Sequence, residues 1–75
     1  MFVAKNLSVI AYANGFTLWH YKSVNDKLED ICELGYFNKV INQCRDGDLI
    51  IVSARDNNGI RRIEKVGDVC LRELK

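Results

Sequence analysis

Residues 7–22 read LSVIAYANGFTLWHYK, and this stretch decides the fold expected for the chain. Two apolar runs, rich in β-branched and aromatic residues, flank Asn14-Gly15, a pair in which both residues accept a positive φ. Asn-Gly between such runs is the strongest short-range signal for a β-hairpin. We therefore predict two antiparallel strands, residues 7–13 and 16–22, joined by a two-residue turn.

A two-residue turn fixes which side chains share a face of the hairpin. It places Ile10, Tyr12, Trp19 and Tyr21 together, on a face that is aromatic with polar tips. Two interpretations remain open at this stage. Other elements of the chain cover this face, or it is exposed and binds a partner, since Tyr and Trp are enriched at interfaces.

The remaining chain predicts two short helices and three strands. Ser23 and Asn25 are candidate N-caps, and Gly35 is a candidate helix stop. Apolar residues recur at helical spacing on both sides of Gly35: Val24, Leu28, Ile31 and Cys32 before it, and Phe37, Val40, Ile41 and Cys44 after it. The predicted strands are residues 49–54, which are apolar without a break, residues 60–66, with a bulge at Arg61-Arg62, and residues 69–74.

These elements predict an α+β fold in the order β-β-α-α-β-β-β, with a small antiparallel sheet or a partly open barrel. A length of 75 residues suits a single domain over residues 1–75, with residues 1–6 expected to be flexible. A chain this short has a thin stability margin, which small domains often improve by self-association.

The composition narrows the functional class. The chain is 48% hydrophobic and 28% charged, a composition typical of a globular protein. Its net charge of +1 gives no broad electrostatic field that would steer nucleic acid toward it. It has neither an apolar run of membrane-spanning length nor a signal peptide at its start, and the three cysteines suit reduced, buried thiols. We expect a protein of the bacterial cytoplasm or of a virion.

No catalytic or metal-binding constellation stands out. His20, Cys32, Cys44 and Cys70 are the residue types of a zinc site but lack a C-x-x-C pair, and neither Cys32 nor Cys44 has the setting of an activated nucleophile. Three acidic residues that could suggest calcium, Asp46, Asp48 and Asp56, lack the loop pattern with a closing Glu. We predict no enzymatic activity, no cofactor and no metal.

A group of cations provides an alternative function. Arg55, Arg61, Arg62 and Lys65 fall in or near the second predicted hairpin, where, with nearby aromatic residues, they could bind nucleic acid. The competing interpretation is a solvated hairpin whose charges oppose Glu64 and Asp68.

Residues 9–52 also carry a series of motifs. These are Asn14-Gly15-Phe16-x-Leu18-Trp19-x-Tyr21-x-Ser23, Gly35-Tyr36-Phe37-Asn38 and Arg45-x-Gly47-Asp48-x-Ile50-x-Val52. The series resembles small, mostly uncharacterised proteins of bacteriophages and prophage-like gene clusters, with Cys44 where that pattern has Leu. The resemblance implies a virion-associated structural role, such as a head-fibre or tail accessory piece that oligomerises. The motif residues are turn and core residues, so they indicate a fold more than a function.

The leading hypothesis is therefore a non-enzymatic structural or interaction protein. It would associate with itself or with another protein through Ile10, Tyr12, Trp19 and Tyr21. A small-barrel nucleic-acid-binding module, using the cations around the second hairpin, is the alternative.

Overall fold

The computed structural model describes residues 2–73 and is built almost entirely from β-strands. The strands are β1 (Leu7–Ala13), β2 (Phe16–Lys22), β3 (Leu49–Ser53), β4 (Asn58–Lys65) and β5 (Val69–Glu73). One short helix, α1 (Leu28–Ile31), and two single 3₁₀ turns, Ala4–Asn6 and Asn38–Val40, complete the regular structure. The strand predicted for residues 69–74 corresponds to β5, and Leu74 lies outside the described residues.

All five strands form one open sheet in the order β1-β2-β3-β4-β5. Three neighbouring pairs are antiparallel, but β2 and β3 are parallel. A parallel pair needs a connection that returns to the starting end of the sheet. Residues 23–48 make this crossover, and they pack on one face of the sheet.

The α+β prediction with an antiparallel sheet or a partly open barrel was wrong. The sheet is mixed, β1 and β5 lie at its opposite edges, and the two predicted helices shrink to α1 and one 3₁₀ turn. The structure is nearly all-β. Alternation and turn signals located the strands, but they carried no information that β2 and β3 would pair in parallel.

The helix prediction failed because the crossover segments are too short to sustain helices. Ser23 does not cap a helix; its Oγ accepts the backbone N–H groups of Asn25 and Asp26 at 3.4 and 3.1 Å and so closes a turn. Gly35 has a φ of +85°, which interrupts any helix between the two segments. The apolar spacing was nevertheless meaningful, because Ile31, Phe37 and others of its members are buried.

The core lies between the crossover and one face of the sheet. Its buried members are Trp19, Tyr21, Ile31, Phe37, Val40, Cys44, Ile50, Val52, Ile63, Val69 and Leu71. Phe2 packs against them, so the segment at the start of the described chain is docked on the core. Within residues 2–73, no helix has both the length and the apolar character needed to cross a membrane.

Candidate functional site

A bulge in β1 divides the aromatic face that the hairpin predicts. Near the turn the register is as expected, with Tyr12 opposite Thr17. The register then shifts between Val9 and Ala11, so that Val9, not Ile10, lies opposite Trp19. A bulge of this kind leaves the extra residue unpaired and bends the edge strand. Ile10 is left 52% exposed, while Trp19 on the neighbouring strand is buried.

Trp19 is held in the core by a buried acid. Its indole Nε1–H donates to Oδ2 of Asp48 at 3.0 Å, and the backbone N–H groups of Thr17 and Arg45 donate to the same carboxylate, each at 3.0 Å. Asp48 is only 1% exposed. Burial acts to raise the pKa of Asp48, but the three hydrogen bonds outweigh it and hold the pKa below its usual value. The carboxylate thereby joins β2 to the end of the crossover.

Tyr21 lies in an aromatic cluster beneath the crossover. Its ring stacks on Phe2 with centroids 5.5 Å apart and meets Tyr36 and Phe37 edge-on. Its hydroxyl accepts the backbone N–H of Val3 at 3.0 Å and lies 3.0 Å from the Tyr36 hydroxyl. Tyr21 is fully buried, so neither it nor Trp19 is accessible to a partner.

The other two predicted interface residues are exposed. Tyr12 is 82% exposed and Ile10 is 52% exposed, both on the edge strand β1. The structure therefore does not unite Ile10, Tyr12, Trp19 and Tyr21 in one surface. Its crossover covers the inner part of that face and leaves two side chains at the rim.

The four cations of the predicted nucleic-acid surface are also separated. β4 has regular pairing and no bulge at Arg61-Arg62, so these two side chains point to opposite faces. Arg61 lies on the crossover side beside Cys32, whereas Arg62 lies on the other face and bonds Glu64 at 3.1 Å. Arg55 is in the β3–β4 turn, and Lys65 ends β4. The nucleic-acid function stays a prediction, and these four residues do not form one patch.

The residue types of a metal or thiol site do not converge in the described chain. Among residues 2–73, no group of three His, Cys, Asp or Glu side chains could hold a metal ion. All three cysteines are free thiols. Burial raises the pKa of Cys44 to about 11 and also raises that of Cys32, so neither thiol has the lowered pKa of a nucleophile.

The three aspartates considered for calcium have structural roles. Asp46 accepts the backbone N–H of Lys65 at 3.0 Å, and Asp56 accepts that of Leu28 at 2.9 Å. Asp48 accepts the three donors described above. Each carboxylate therefore holds a loop onto a neighbouring segment.

The face of the sheet opposite the crossover is the largest unassigned feature. Trp19, Ile50 and Ile63 are buried on the crossover side of the sheet. Because successive side chains of a strand point to opposite faces, the residues next to them in each strand belong to this other face. Its large apolar members are Phe16 and Leu18 from β2, Leu49 and Ile51 from β3, and Ile60 from β4. We call this set the open face. The buried apolar residues of the crossover all belong to the core on the other side of the sheet.

The open face is apolar in its centre and polar at its rim. Leu18, Leu49 and Ile51 are half-buried by their neighbours in the sheet, and Ile60 is 49% exposed. At one end, Glu64 accepts hydrogen bonds from both Arg62 and Arg72, at 3.1 and 3.3 Å. Such a surface, apolar with a polar rim, is typical of an interaction site.

The apolar run of residues 49–54 is the sequence signal for this surface. The unbroken apolar run of β3 predicts a strand covered on both faces, and the structure covers only the face of Ile50 and Val52. The role of Asp48 had no comparable signal, because Asp46-Gly47-Asp48 before a strand is typical of an ordinary turn.

Comparison of the chain with protein-family profiles, with curated proteins and with solved structures found no match. The resemblance to phage and prophage proteins therefore stays an expectation.

Proposed function

We propose that this chain is a non-enzymatic protein-interaction module that associates with a second copy of itself through the open face. The observation that carries the proposal is β3, which is apolar on both sides but covered on one. Ile50 and Val52 pack under the crossover, and Leu49 and Ile51 face the other way. Apolar side chains on an uncovered sheet face favour burial against another surface.

A second copy is the occupant that fits this face best. Two sheets that pack face to face bury their apolar sides at a separation of about 10 Å, and the open face would supply both halves of such a sandwich. The net charge of +1 gives two copies little mutual repulsion. The arginines at one end of the face are already bonded to Glu64, which reduces their charge there.

The proposed contact surface still includes the N-terminal hairpin, but it uses the opposite face of that hairpin from the one predicted from the sequence. The predicted surface used Tyr12, Trp19 and Tyr21, but Trp19 and Tyr21 are buried. Phe16 and Leu18 belong to the same strand β2 and project to the opposite, open face. A self-associating piece is consistent with the virion-associated role that the resemblance implies, in a virion or in the bacterial cytoplasm.

Methyl NMR with a soluble paramagnetic agent tests the location of the contact. The agent broadens the signals of exposed methyl groups at low protein concentration. We expect the methyls of Ile51 and Ile60 to become protected as the concentration rises, while those of Leu34, which is exposed in the crossover on the other side of the sheet, stay broadened. Equal broadening of Ile60 and Leu34 at every concentration would contradict the proposal.

A further inference from the structure

A shallow cavity of about 440 Å³ opens at one end of the β2–β3 pair. It lies where Lys22 ends β2 and Ser53 ends β3, and these two residues are directly paired. Binding cavities in proteins commonly have volumes of about 300–1,000 Å³. This one therefore has room for a small molecule.

The cavity follows from the only parallel pairing among the described strands. Parallel strands have their carboxyl ends at the same edge, and the chain leaves these ends in different directions. After β2 it enters the crossover, where the backbone N–H of Ser23 donates to the carbonyl of Ser53 at 2.9 Å. After β3 it enters the turn that contains Arg55. The divergence of the two segments leaves the cavity between them, at the position where open α/β sheets bind ligands.

The charge of this cavity is positive. Lys22 and Arg55 both line it, and no Asp or Glu does. Both ion pairs of the described residues involve Glu64, so neither cation takes part in them. Of the nearest acids along the chain, Asp56 accepts the backbone N–H of Leu28 and Asp26 accepts the hydroxyl of Tyr36. The Asp26 carboxylate does not line the cavity, but it lies close enough for the charge of Arg55 to lower its pKa.

Further polar groups complete the lining. The Nε2 atom of His20 lies 3.1 Å from Oγ of Ser53, which orients a hydroxyl and an imidazole at the cavity. The amide of Asn58 provides a further donor, and the side chain of Val24, 68% exposed, forms an apolar wall. A guanidinium, an ammonium, a hydroxyl and an amide are the groups that proteins use to bind phosphate oxygens.

We propose that this cavity binds the terminal phosphate of a small phosphorylated molecule, with Lys22 and Arg55 as the charged contacts. Two cations in a cavity that no carboxylate lines match a phosphate monoester, which carries close to two negative charges at neutral pH. The exposed Val24 side chain provides a contact for an apolar part of the same ligand. By strand alternation, Lys22 and Ser53 project to the same side of the sheet as Ile51, so the cavity lies at the end of the open face, beyond its apolar centre. Phosphate binding there does not depend on self-association.

Backbone-amide NMR titration tests the site, with three probes at equal ionic strength: inorganic phosphate, a nucleoside 5′-monophosphate and a phosphodiester-only dinucleotide. We expect saturable shifts at Ser53, Arg55 and Asn58, tightest for the monophosphate and weakest for the dinucleotide. Lys22→Gln and Arg55→Gln are each expected to weaken binding about tenfold, since each removes one charged hydrogen bond. Lys39→Gln removes an exposed charge that does not line the cavity, and it should leave binding unchanged.

The same titration can overturn the proposal. Shifts that follow ionic strength alone, or binding that survives both Lys22→Gln and Arg55→Gln, would show that the cavity is not a phosphate site. Dinucleotide binding as tight as monophosphate binding would assign the cations to a nucleic-acid backbone instead. Unchanged signals of core residues such as Ile63 in each variant would show that the fold is retained.

Discussion

The indole N–H of Trp19 donates to the carboxylate of Asp48 at 3.0 Å, and both residues are buried. This contact joins β2 to the residue that precedes β3. The backbone of Asp48 extends the connection, because its carbonyl accepts the N–H of Ile63 on β4 at 2.7 Å. One residue therefore links the hairpin, the end of the crossover and the second half of the sheet.

We expect Asp48→Asn to destabilise the protein by about 2–4 kcal/mol, because a buried charge-assisted network loses its acceptor. An amide has one acceptor oxygen, so at least one of the N–H groups of Thr17, Trp19 and Arg45 would lose its partner. Urea unfolding measures the loss. Asp30→Asn, at an exposed position of α1, is the control and should change stability by less than about 0.5 kcal/mol. Equal stability of the two variants would contradict this role of Asp48.

The same residue predicts an acid-dependent loss of stability. The pKa of Asp48 is lower in the folded protein than in the unfolded chain, so its contribution is complete above the unfolded pKa of about 3.9 and is lost as the pH falls through the folded value. We therefore expect the stability difference between the wild type and Asp48→Asn to shrink below about pH 4. Urea titrations from pH 7 to pH 2 measure this difference, and a constant difference over that range would contradict the prediction.

Tyr21→Phe tests the attachment of the first residues to the core. The substitution keeps the ring stacked on Phe2 but removes the hydroxyl that accepts the N–H of Val3. We expect a loss of about 1–2 kcal/mol and faster hydrogen exchange at the Val3 amide. Thr17→Ser changes a half-buried position of the same strand without removing a described side-chain bond, and it should leave exchange at Val3 unaltered. Unchanged exchange in Tyr21→Phe would show that the hydroxyl does not hold this segment.

Cys44 should be the slowest cysteine to react. It is 2% exposed and its pKa is raised to about 11, so its thiolate is scarce at pH 8, whereas Cys32 and Cys70 are only half-buried. We expect iodoacetamide at pH 8 to label Cys32 and Cys70 first. Cys44 should be labelled only when the protein unfolds, so its labelling rate should be limited by the unfolding rate. Peptide mass spectrometry follows each site. Labelling of Cys44 as fast as Cys70 in the native protein would show that the crossover does not protect it.

The sequence predicted local features well and long-range features poorly. The Asn14-Gly15 hairpin and the pairing near its turn are confirmed, because a two-residue turn constrains the backbone on both sides of it. The bulge at Ile10 depends on how β1 bends over the core, and no local pattern shows it. The helical spacing around Phe37 correctly indicated which residues are buried. It wrongly predicted a helix, because turns in the short crossover are enough to bury these side chains.

In the candidate site, too, the local features could be predicted from the sequence and the long-range features could not. Alternation assigns side chains to faces once strands are known, but only the topology shows which face the crossover covers. The sequence could therefore identify Trp19 and Ile51 as candidates for burial without saying which would be covered by the same chain. The cavity beside Lys22 depends on the parallel pairing of β2 and β3, which the predicted antiparallel sheet did not contain.

Absolute mass by light scattering, over a concentration series, tests the central claim of association through the open face. We expect the wild type to form a defined oligomer at high concentration and Ile60→Lys to be monomeric, since a charge would then lie in the apolar contact. Leu34→Lys places the same charge at a side chain that is 60% exposed in the crossover, on the other side of the sheet, and it should associate like the wild type. A wild type that is monomeric at every concentration, or an Ile60→Lys variant that associates as well as Leu34→Lys, would contradict the account.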